Sequence, residues 1–222
     1  VLAGLFLGAR DIVGGVNWVQ TVKEDPNVAK LVEKGKKQFA GTEIMGKKIG
    51  VIGLGAIGVL VANACVALGM EVYGYDPFIS VDAAWNLSKD IKHIANVEDI
   101  YANCDYITVH VPLMDSTKKM INADAFAKMK DGVIIINNSR GPLIVEQDLY
   151  EALESGKVAA AAVDVVSTEP IKKDNVLLKA KNCIITPHIS WATQDARKRI
   201  MNTTAENIKS VLDGAPVNVV NK

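Results

Sequence analysis

Three glycines in the spacing Gly-x-Gly-x-x-Gly, at positions 53, 55 and 58, restrict the possible folds of this 222-residue chain more than any other feature. They follow the short apolar run Ile49–Ile52 and precede a helical pattern over Ala56–Leu68. In that context Gly53 permits a tight turn, Gly55 lets a ligand approach the backbone, and Gly58 allows close helix–strand packing. The spacing alone is a weak signal, but its context predicts an anion-binding site at the start of a helix.

Short apolar runs alternate with helical patterns from Lys47 onward. The runs that predict strands are Ile49–Ile52, Glu71–Tyr75, Tyr106–Val109, Val133–Ile136, Ala159–Val163 and Cys183–Ile185. The patterns that predict helices are Ala56–Leu68, Asn122–Met129 and Glu146–Glu154. This alternation predicts an α/β fold, a doubly wound parallel sheet of the Rossmann type with helices on both faces. Ser80–Ile100 is less regular and allows only a weak strand near Ile91–Ile94.

The chain divides into three segments on these patterns. Residues 1–46 start with an amphipathic helix over Val1–Val22 and continue as a polar loop from Lys23 to Gly46. Glycines weaken that helix by about 1 kcal/mol each, so we expect it to need a partner surface and to form a homodimer. Residues 47–190 form the predicted dinucleotide-binding domain. Residues 191–222 form a final helix, Trp191–Leu212, and a tail.

Asp76 ends the second predicted strand, 23 residues after Gly53. A carboxylate at this distance accepts hydrogen bonds from the ribose hydroxyls of an adenosine and repels a 2′-phosphate. The next residue is Pro77, and no adjacent arginine is present to bind that phosphate. The motif and the acid together therefore predict NAD, rather than NADP, as the cofactor.

Composition narrows the partners further. Basic and acidic residues balance at 25 each, which gives no electrostatic case for nucleic acid or an anionic membrane. No apolar run reaches the ~20 residues that cross a bilayer. The cysteines Cys65, Cys104 and Cys183 lack metal or redox spacing, so we expect reduced thiols in a cytoplasmic protein with no metal. The chain starts within an apolar stretch and without Met, so we expect a piece of a longer chain.

Polar residues follow the predicted strands at their carboxyl ends, where parallel sheets bind ligands. Arg140 can grip a substrate carboxylate at two points, and His188 can transfer a proton near neutral pH. Glu169 can pair with His188 and favour the imidazolium. Each also has a structural explanation, namely a surface ion pair for Arg140, a structural histidine for His188 and a turn for Glu169-Pro170. From spacing alone, these alternatives stay open.

The motifs resemble the D-2-hydroxyacid dehydrogenase family and run in family order across nearly the whole chain. They are Gly53–Gly58, Asp76-Pro77, His110–Leu113, Asn137–Gly141, Val163–Val165 with Glu169-Pro170, and Thr186–Ile189. The resemblance implies Arg140, Glu169 and His188 as the catalytic set, with His188 as acid–base. It also implies NAD contacts, and the cofactor residues predicted in all are Gly53, Gly55, Ala56, Ile57, Gly58, Asp76, His110, Val111, Pro112, Thr117, Asn138, Ser139, Asp164 and Ser190.

The resemblance also implies a second domain and leaves the substrate open. Family members carry a substrate domain that is missing here, so we expect this chain alone to turn over poorly. Tyr75–Trp85 is similar to the branch that oxidises 3-phosphoglycerate for serine synthesis, whereas the chain from Asn137 onward is closer to the branch that acts on glycerate and hydroxypyruvate. Natural variation and the joining of two parents both explain this mixture. A non-catalytic NAD sensor is a further alternative, which the retained Arg140, Glu169 and His188 disfavour.

Overall fold

Seven parallel strands form one sheet in the part of the chain that the computed structural model describes, residues 1–219. Their order across the sheet is β3-β2-β1-β4-β5-β6-β7. The last three residues of the predicted tail lie outside the described residues. The strands are β1 (Lys48–Ile52), β2 (Glu71–Tyr75), β3 (Lys92–His93), β4 (Tyr106–Val109), β5 (Val133–Asn137), β6 (Val158–Val163) and β7 (Cys183–Ile185).

The helices lie between the strands and at both ends of the described chain. Short 3-10 turns cover Lys36–Phe39, Gly141–Leu143 and Val176–Lys179. The α-helices are α1 (Leu2–Ala9), α2 (Ile12–Val22), α3 (Val28–Gly35), α4 (Ala56–Ala67), α5 (Val81–Trp85), α6 (Val97–Asn103), α7 (Ala123–Lys128), α8 (Glu146–Ser155) and α9 (Gln194–Leu212). The predicted doubly wound α/β fold is therefore confirmed, including an unbroken parallel sheet.

Two apolar cores cover the two faces of the sheet. One lies between the sheet and α6, α7 and α8, and the other lies between the sheet and α1 and α4. Every residue of β4 and β5 is buried, as expected for central strands of a parallel sheet that is covered on both faces. The continuous apolar runs of the sequence therefore mark strands buried on both sides rather than half-buried ones.

The chain changes direction beside β1. It first moves outward through β2 and β3, and then returns to pair β4 with the other edge of β1. The carboxyl ends of β1 and β4 are therefore followed by connections that lead away from each other, which opens a crevice between them. Two compact units are present, Val1–Pro187 and the segment from His188 onward. The sheet and its crevice belong wholly to the first unit.

The predicted single helix over Val1–Val22 is wrong in one respect, because Arg10 is extended and separates α1 from α2. The Asp11 carboxylate accepts the Gly14 N–H at 2.8 Å and starts α2 anew. A Cβ at Gly4 would lie 2.9 Å from Ala162 Cβ on β6, so this glycine brings α1 close to the sheet. The expectation that the helix needs a partner surface is thus wrong for α1, whose Leu5 and Ala9 are buried within its own chain.

The predicted loop from Lys23 to Gly46 is also wrong, since α3 and a 3-10 turn lie within it. Trp18 of α2 packs against Phe39 with ring centroids 5.4 Å apart. A Cβ at Gly35 would lie 2.4 Å from the Trp18 ring, so the end of α3 approaches α2 through a residue without a side chain. Tertiary packing against Trp18 supports this short helix. The sequence predicts a loop there because the segment is polar and rich in lysine.

None of the helices described over residues 1–219 has the length and apolar character needed to span a membrane. The weak strand predicted near Ile91–Ile94 is present as β3, which is only two residues long. Its pairing with β2 is extended by the Ile94 N–H, which donates to the Gly74 carbonyl at 2.9 Å.

Candidate cofactor cleft and active-site edge

A cleft of about 730 Å³ opens at the carboxyl ends of β1, β2 and β4. It is the crevice that the reversal of strand order creates. The residues around it come from the turn after β1, the end of β2, helix α6 and the segment after β4. They are Gly53, Gly55, Tyr75, Asp76, Pro77, Phe78, Val97, Tyr101, His110, Val111, Pro112, Met114, Ser116, Thr117 and Met120.

The three glycines of the first turn serve different purposes. Gly53 has a φ of +95°, and a Cβ there would lie 2.7 Å from the His110 carbonyl carbon. A Cβ at Gly58 would lie 1.9 Å from the Gly53 carbonyl oxygen, so this position packs helix against turn. Gly55 is exposed, and a Cβ there would meet nothing within 4 Å. The fold thus requires glycine at 53 and 58, whereas the open side of Gly55 is space for a ligand.

Asp76 faces this turn from the end of β2. Its carboxylate accepts the N–H of Leu54 and the N–H of Phe78, each at 2.8 Å. Asp76 therefore joins the glycine turn to β2 as well as lining the cleft. The sequence predicts Asp76 as a ribose partner but gives no sign of its bond to Leu54, because the two residues meet only when β1 and β2 pair.

His110 and the segment after it form the opposite wall. The His110 ring Nε2 lies 3.0 Å from the Thr108 hydroxyl, and burial lowers the pKa of His110 to about 4. The ring is therefore neutral near pH 7. The Thr117 hydroxyl donates to the Pro112 carbonyl at 2.6 Å and accepts the Met114 N–H at 2.9 Å. Thr117 thus closes the loop that presents Val111 and Pro112 to the cleft.

Asn137, at the end of β5, organises the turn that carries Arg140. It is 1 % exposed, its amide donates to the Arg140 carbonyl at 2.9 Å, and its Oδ1 accepts the Ser139 N–H at 3.0 Å. The Ser139 hydroxyl donates to the Val111 carbonyl at 3.1 Å, which ties this turn to the wall of the cleft. Asn137 was not among the predicted site residues. The signal that could have found it is a polar residue that ends an otherwise apolar strand.

Arg140 itself is exposed, with its Nη1 donating to the Ser139 carbonyl at 2.8 Å. The next residue, Gly141, lies directly against the loop after β6, because a Cβ there would lie 2.1 Å from the Val166 carbonyl group. Glu169 is on that same loop, is exposed, and accepts the Val166 N–H at 3.4 Å. The turn with Arg140 and the loop with Glu169 therefore meet at one edge of the sheet.

The remaining predicted residues lie in three places. Ala56 and Ile57 are exposed in the first turn of α4, Asn138 is half-buried beside Ser139, and Asp164 is buried at the end of β6. The Thr186 hydroxyl donates to the Asp164 carboxylate. His188 and Ser190 belong to the unit that begins at His188, in which His188 has a positive φ of 53°. Their part in the site stays a prediction.

The cleft fits a dinucleotide on the structure's own features. The first N–H groups of α4 have no carbonyl partners within the helix and attract an anion. The open side of Gly55 leaves room for a phosphate against them. Asp76, held by two N–H donors, lies where a ribose would be bound. This fold and this cleft define a dinucleotide-binding domain.

Comparison with known proteins specifies the class. Residues 7–190 match the family model of the D-isomer specific 2-hydroxyacid dehydrogenase, NAD binding domain. The chain therefore belongs to the D-2-hydroxyacid dehydrogenases as their NAD-binding domain, and NAD is its cofactor. The resemblance inferred from the sequence motifs is confirmed.

Two of the similar proteins are named for different substrates. Hydroxypyruvate reductase of Blautia hydrogenotrophica is 53 % identical over 180 residues, which are 81 % of this chain and 55 % of the relative. D-3-phosphoglycerate dehydrogenase of Archaeoglobus fulgidus is 44 % identical over 200 residues, which are 88 % of this chain and 37 % of the relative. The chain thus spans about half or less of these relatives' lengths.

Two solved structures share this fold. An acyclic imino acid reductase, Bsp5, in complex with NADPH and D-Arg superposes with a TM-score of 0.81 at 30 % identity, covering 100 % of this chain and 66 % of that one. The apo form of D-mandelate dehydrogenase from Rhodotorula graminis gives 0.82 at 28 % identity, covering 100 % and 64 %.

Proposed function

We propose that this chain is the NAD-binding part of an enzyme that oxidises a D-2-hydroxy acid, 3-phosphoglycerate to 3-phosphohydroxypyruvate, in serine synthesis. The observation that carries the proposal is the contact of Gly141 with Val166, which brings the Arg140 turn against the Glu169 loop beside the cleft. The segments that carry a cation for a carboxylate and an acid for a proton relay approach each other there. A module that only senses NAD has no use for such a pair.

Each proposed catalytic residue has one task. The exposed Arg140 guanidinium binds the substrate carboxylate in two-point fashion and fixes C2 beside the cofactor. His188 takes the proton of the C2 hydroxyl during oxidation and returns it during reduction. Glu169 orients the His188 ring and stabilises its protonated form. NAD, when bound, accepts the hydride from C2. The missing wall of the active site is a second domain, which the relatives' greater lengths support.

A second candidate is the interconversion of glycerate and hydroxypyruvate. The higher identity to the Blautia hydroxypyruvate reductase, 53 % against 44 %, favours it. The same three residues would serve, because the two substrates differ only in a phosphate on the C3 oxygen and share the carboxylate and the C2 hydroxyl. Relative kcat/KM for hydroxypyruvate and 3-phosphohydroxypyruvate, measured in the complete enzyme, distinguishes the candidates.

The proposal extends to organisation and surroundings. We assign residues 1–46 to interdomain and dimer contacts, 47–190 to NAD binding, and 191–222 to the return toward the second domain. The homodimer would form through α2, which has no buried residue. The free thiols of Cys65, Cys104 and Cys183 suit a reducing cytoplasm. Nucleic acid and membrane have no part in the proposal.

Calorimetric titration of the chain with NADH, and with NADPH as a control, tests the cofactor site first. We expect saturable binding of NADH and at least tenfold weaker binding of NADPH, because Asp76 repels a 2′-phosphate. Binding of neither would leave a fold without a working site. Equal binding of both would contradict the assigned role of Asp76.

Replacement of Arg140 by Ala in the complete enzyme tests the catalytic edge. We expect kcat/KM for the hydroxy acid to fall on the order of 100-fold, because the carboxylate loses its two-point contact and its orientation. The KM for NADH should stay unchanged, since Arg140 is not part of the cleft wall. Unchanged substrate kinetics would disprove the assignment.

A further inference from the structure

One carboxylate holds both ends of the loop that carries Glu169. Glu146, the first residue of α8, is half-buried. Its Oε1 accepts the Ser167 N–H at 2.6 Å, and its Oε2 accepts the Asn175 side-chain amide at 3.1 Å. Ser167 lies just before Glu169 in the loop, and Asn175 lies at the loop's far end.

The far end is itself fixed to the core. The Asn175 Oδ1 accepts the Leu177 N–H at 2.9 Å, and Leu177 is 2 % exposed. Asn175 therefore cannot turn its carbonyl oxygen toward residue 146 without releasing Leu177. Both groups that face Glu146 are thus donors, and its carboxylate, which has two acceptor oxygens, binds one donor with each oxygen.

Glu146 also lies a few residues after the proposed substrate-binding arginine. The chain from Arg140 runs through the Gly141–Leu143 turn and reaches Glu146 at the start of α8. Gly141 contacts Val166, and Glu146 binds Ser167, so this short segment holds two successive residues of the loop. The position of the Glu169 loop is therefore set from the same segment that carries Arg140. The N-terminus of α8 further favours a negative charge at position 146.

We propose that Glu146 is a positioning residue for Glu169, holding the loop of residues 164–175 at a fixed distance from Arg140. This inference rests on the proposed function of Glu169. Glu146 itself is not among the residues that line the cofactor cleft. Its loss lets the loop move, and a displacement of about 1 Å at a catalytic group can cost on the order of 100-fold in rate.

Hydrogen exchange in this chain tests the anchor without any turnover. Glu146→Ala should accelerate exchange of the Ser167 amide about tenfold, because its acceptor is gone. The matched control is Asp148→Ala on the same first turn of α8, whose carboxylate accepts the Ala123 N–H at 2.7 Å, away from the loop. The control should leave Ser167 unchanged, and both variants should keep the NADH Kd within twofold, which shows that they fold. Unchanged Ser167 exchange in Glu146→Ala would overturn the inference.

A double-mutant cycle in the complete enzyme tests the effect on catalysis. Glu146→Ala alone should lower kcat 10- to 100-fold at unchanged KM for NADH. In a Glu169→Gln background the same substitution should change kcat less than twofold, because the residue through which it acts is already lost. Equal fold-changes in both backgrounds would mean a general structural role and would overturn the inference. A wild-type enzyme without hydroxy-acid turnover would refute the proposed function instead, and Ser167 exchange would still decide whether Glu146 holds the loop.

Discussion

Single residues at the candidate site of this domain often also hold the fold together. Asp76 lines the cleft and also bonds the Leu54 N–H of the glycine turn. Asn137 is buried among strand residues yet shapes the turn of Arg140. Gly55 differs from both, since nothing in the chain occupies the space beside it. Substitutions at Gly55 should therefore separate ligand binding from folding.

Gly55→Ala should weaken NADH binding at least tenfold while the free energy of unfolding falls by about 1 kcal/mol or less. The new methyl group points into open space in the free protein. We expect the phosphates of the dinucleotide to occupy that space. Calorimetry gives the Kd and urea unfolding gives the stability.

Gly58→Ala is the matched control for Gly55→Ala. Its Cβ would lie 1.9 Å from the Gly53 carbonyl oxygen, so it should destabilise the fold itself. An unchanged NADH Kd in Gly55→Ala would mean that the phosphates do not bind against this turn.

His110 makes the stability of the domain depend on pH. Its folded pKa of about 4 lies below the unfolded value near 6.5, so in this range the unfolded chain binds a proton that the native state does not. Stability should therefore fall as the pH drops from about 6.5 to 4, by about 3 kcal/mol in all. Urea unfolding of wild type and His110→Gln at pH 7 and pH 4.5 measures the difference.

The variant should lose much less stability than the wild type on acidification. His93→Gln, a substitution at the exposed β3, serves as the control and should retain the wild-type slope. The same pH dependence in His110→Gln and in the wild type would contradict the prediction.

At the scale of elements, α1 and α2 show that adjacent helices can have opposite environments. α1 packs on β5 and β6, with Leu5 fully buried. In α2 the apolar residues Ile12, Val16 and Val19 remain 41–59 % exposed within this chain. The sequence pattern joins them into one amphipathic helix, but the break at Arg10 lets each turn its apolar face in its own direction.

Leu5→Ala should destabilise the domain by about 2–5 kcal/mol, because it leaves a cavity between α1 and the sheet. Val16→Ala on α2 is the control and should change stability by about 0.5 kcal/mol or less in the monomer. Urea unfolding at low protein concentration measures both. Equal small effects would mean that α1 contributes nothing to the core.

At the scale of the molecule, the exposed stripe of α2 concerns assembly. Apolar side chains at positions 12, 16 and 19 follow helical spacing and form one continuous face. A face of this kind is a candidate interface between two copies of the chain. In a two-fold homodimer, the face of each copy would be covered by the same face of the other copy. The rest of the domain already has its own two cores.

Val16→Asp should convert a dimer of about 48 kDa into a monomer of about 24 kDa, because a charge would then be buried in the interface. Sedimentation at micromolar concentration measures the mass. Val81→Asp is a matched control on the exposed face of α5 and should leave the dimer intact. A wild-type chain that sediments only as a monomer would contradict the assignment.

Local sequence pattern determined the positions of the strands and of the glycine turn, because each is marked by a short run of neighbouring residues. The strand limits of Glu71–Tyr75, Tyr106–Val109 and Cys183–Ile185 are those the apolar runs predict. A strand buried on both faces is apolar along its whole length, so a continuous apolar run in the sequence indicates such a strand. The Gly-x-Gly-x-x-Gly motif can likewise be read from a short stretch of sequence, because its three glycines lie within residues 53–58.

Only the tertiary structure decided which segments distant in sequence contact each other. Gly35 packs on Trp18, and Gly141 packs on Val166. In both cases the two residues are well separated in sequence, and no local pattern links them. In sequence Asn137 is marked only as a polar residue that ends an apolar strand, and Glu146 is not marked at all. The contacts of both residues follow from where loops return to the sheet edge. Their hydrogen bonds depend on distance and angle in space, and no periodicity along the chain encodes them. The sequence by itself thus determined the domain and its cofactor, whereas folding alone determined how the edge around Arg140 is held.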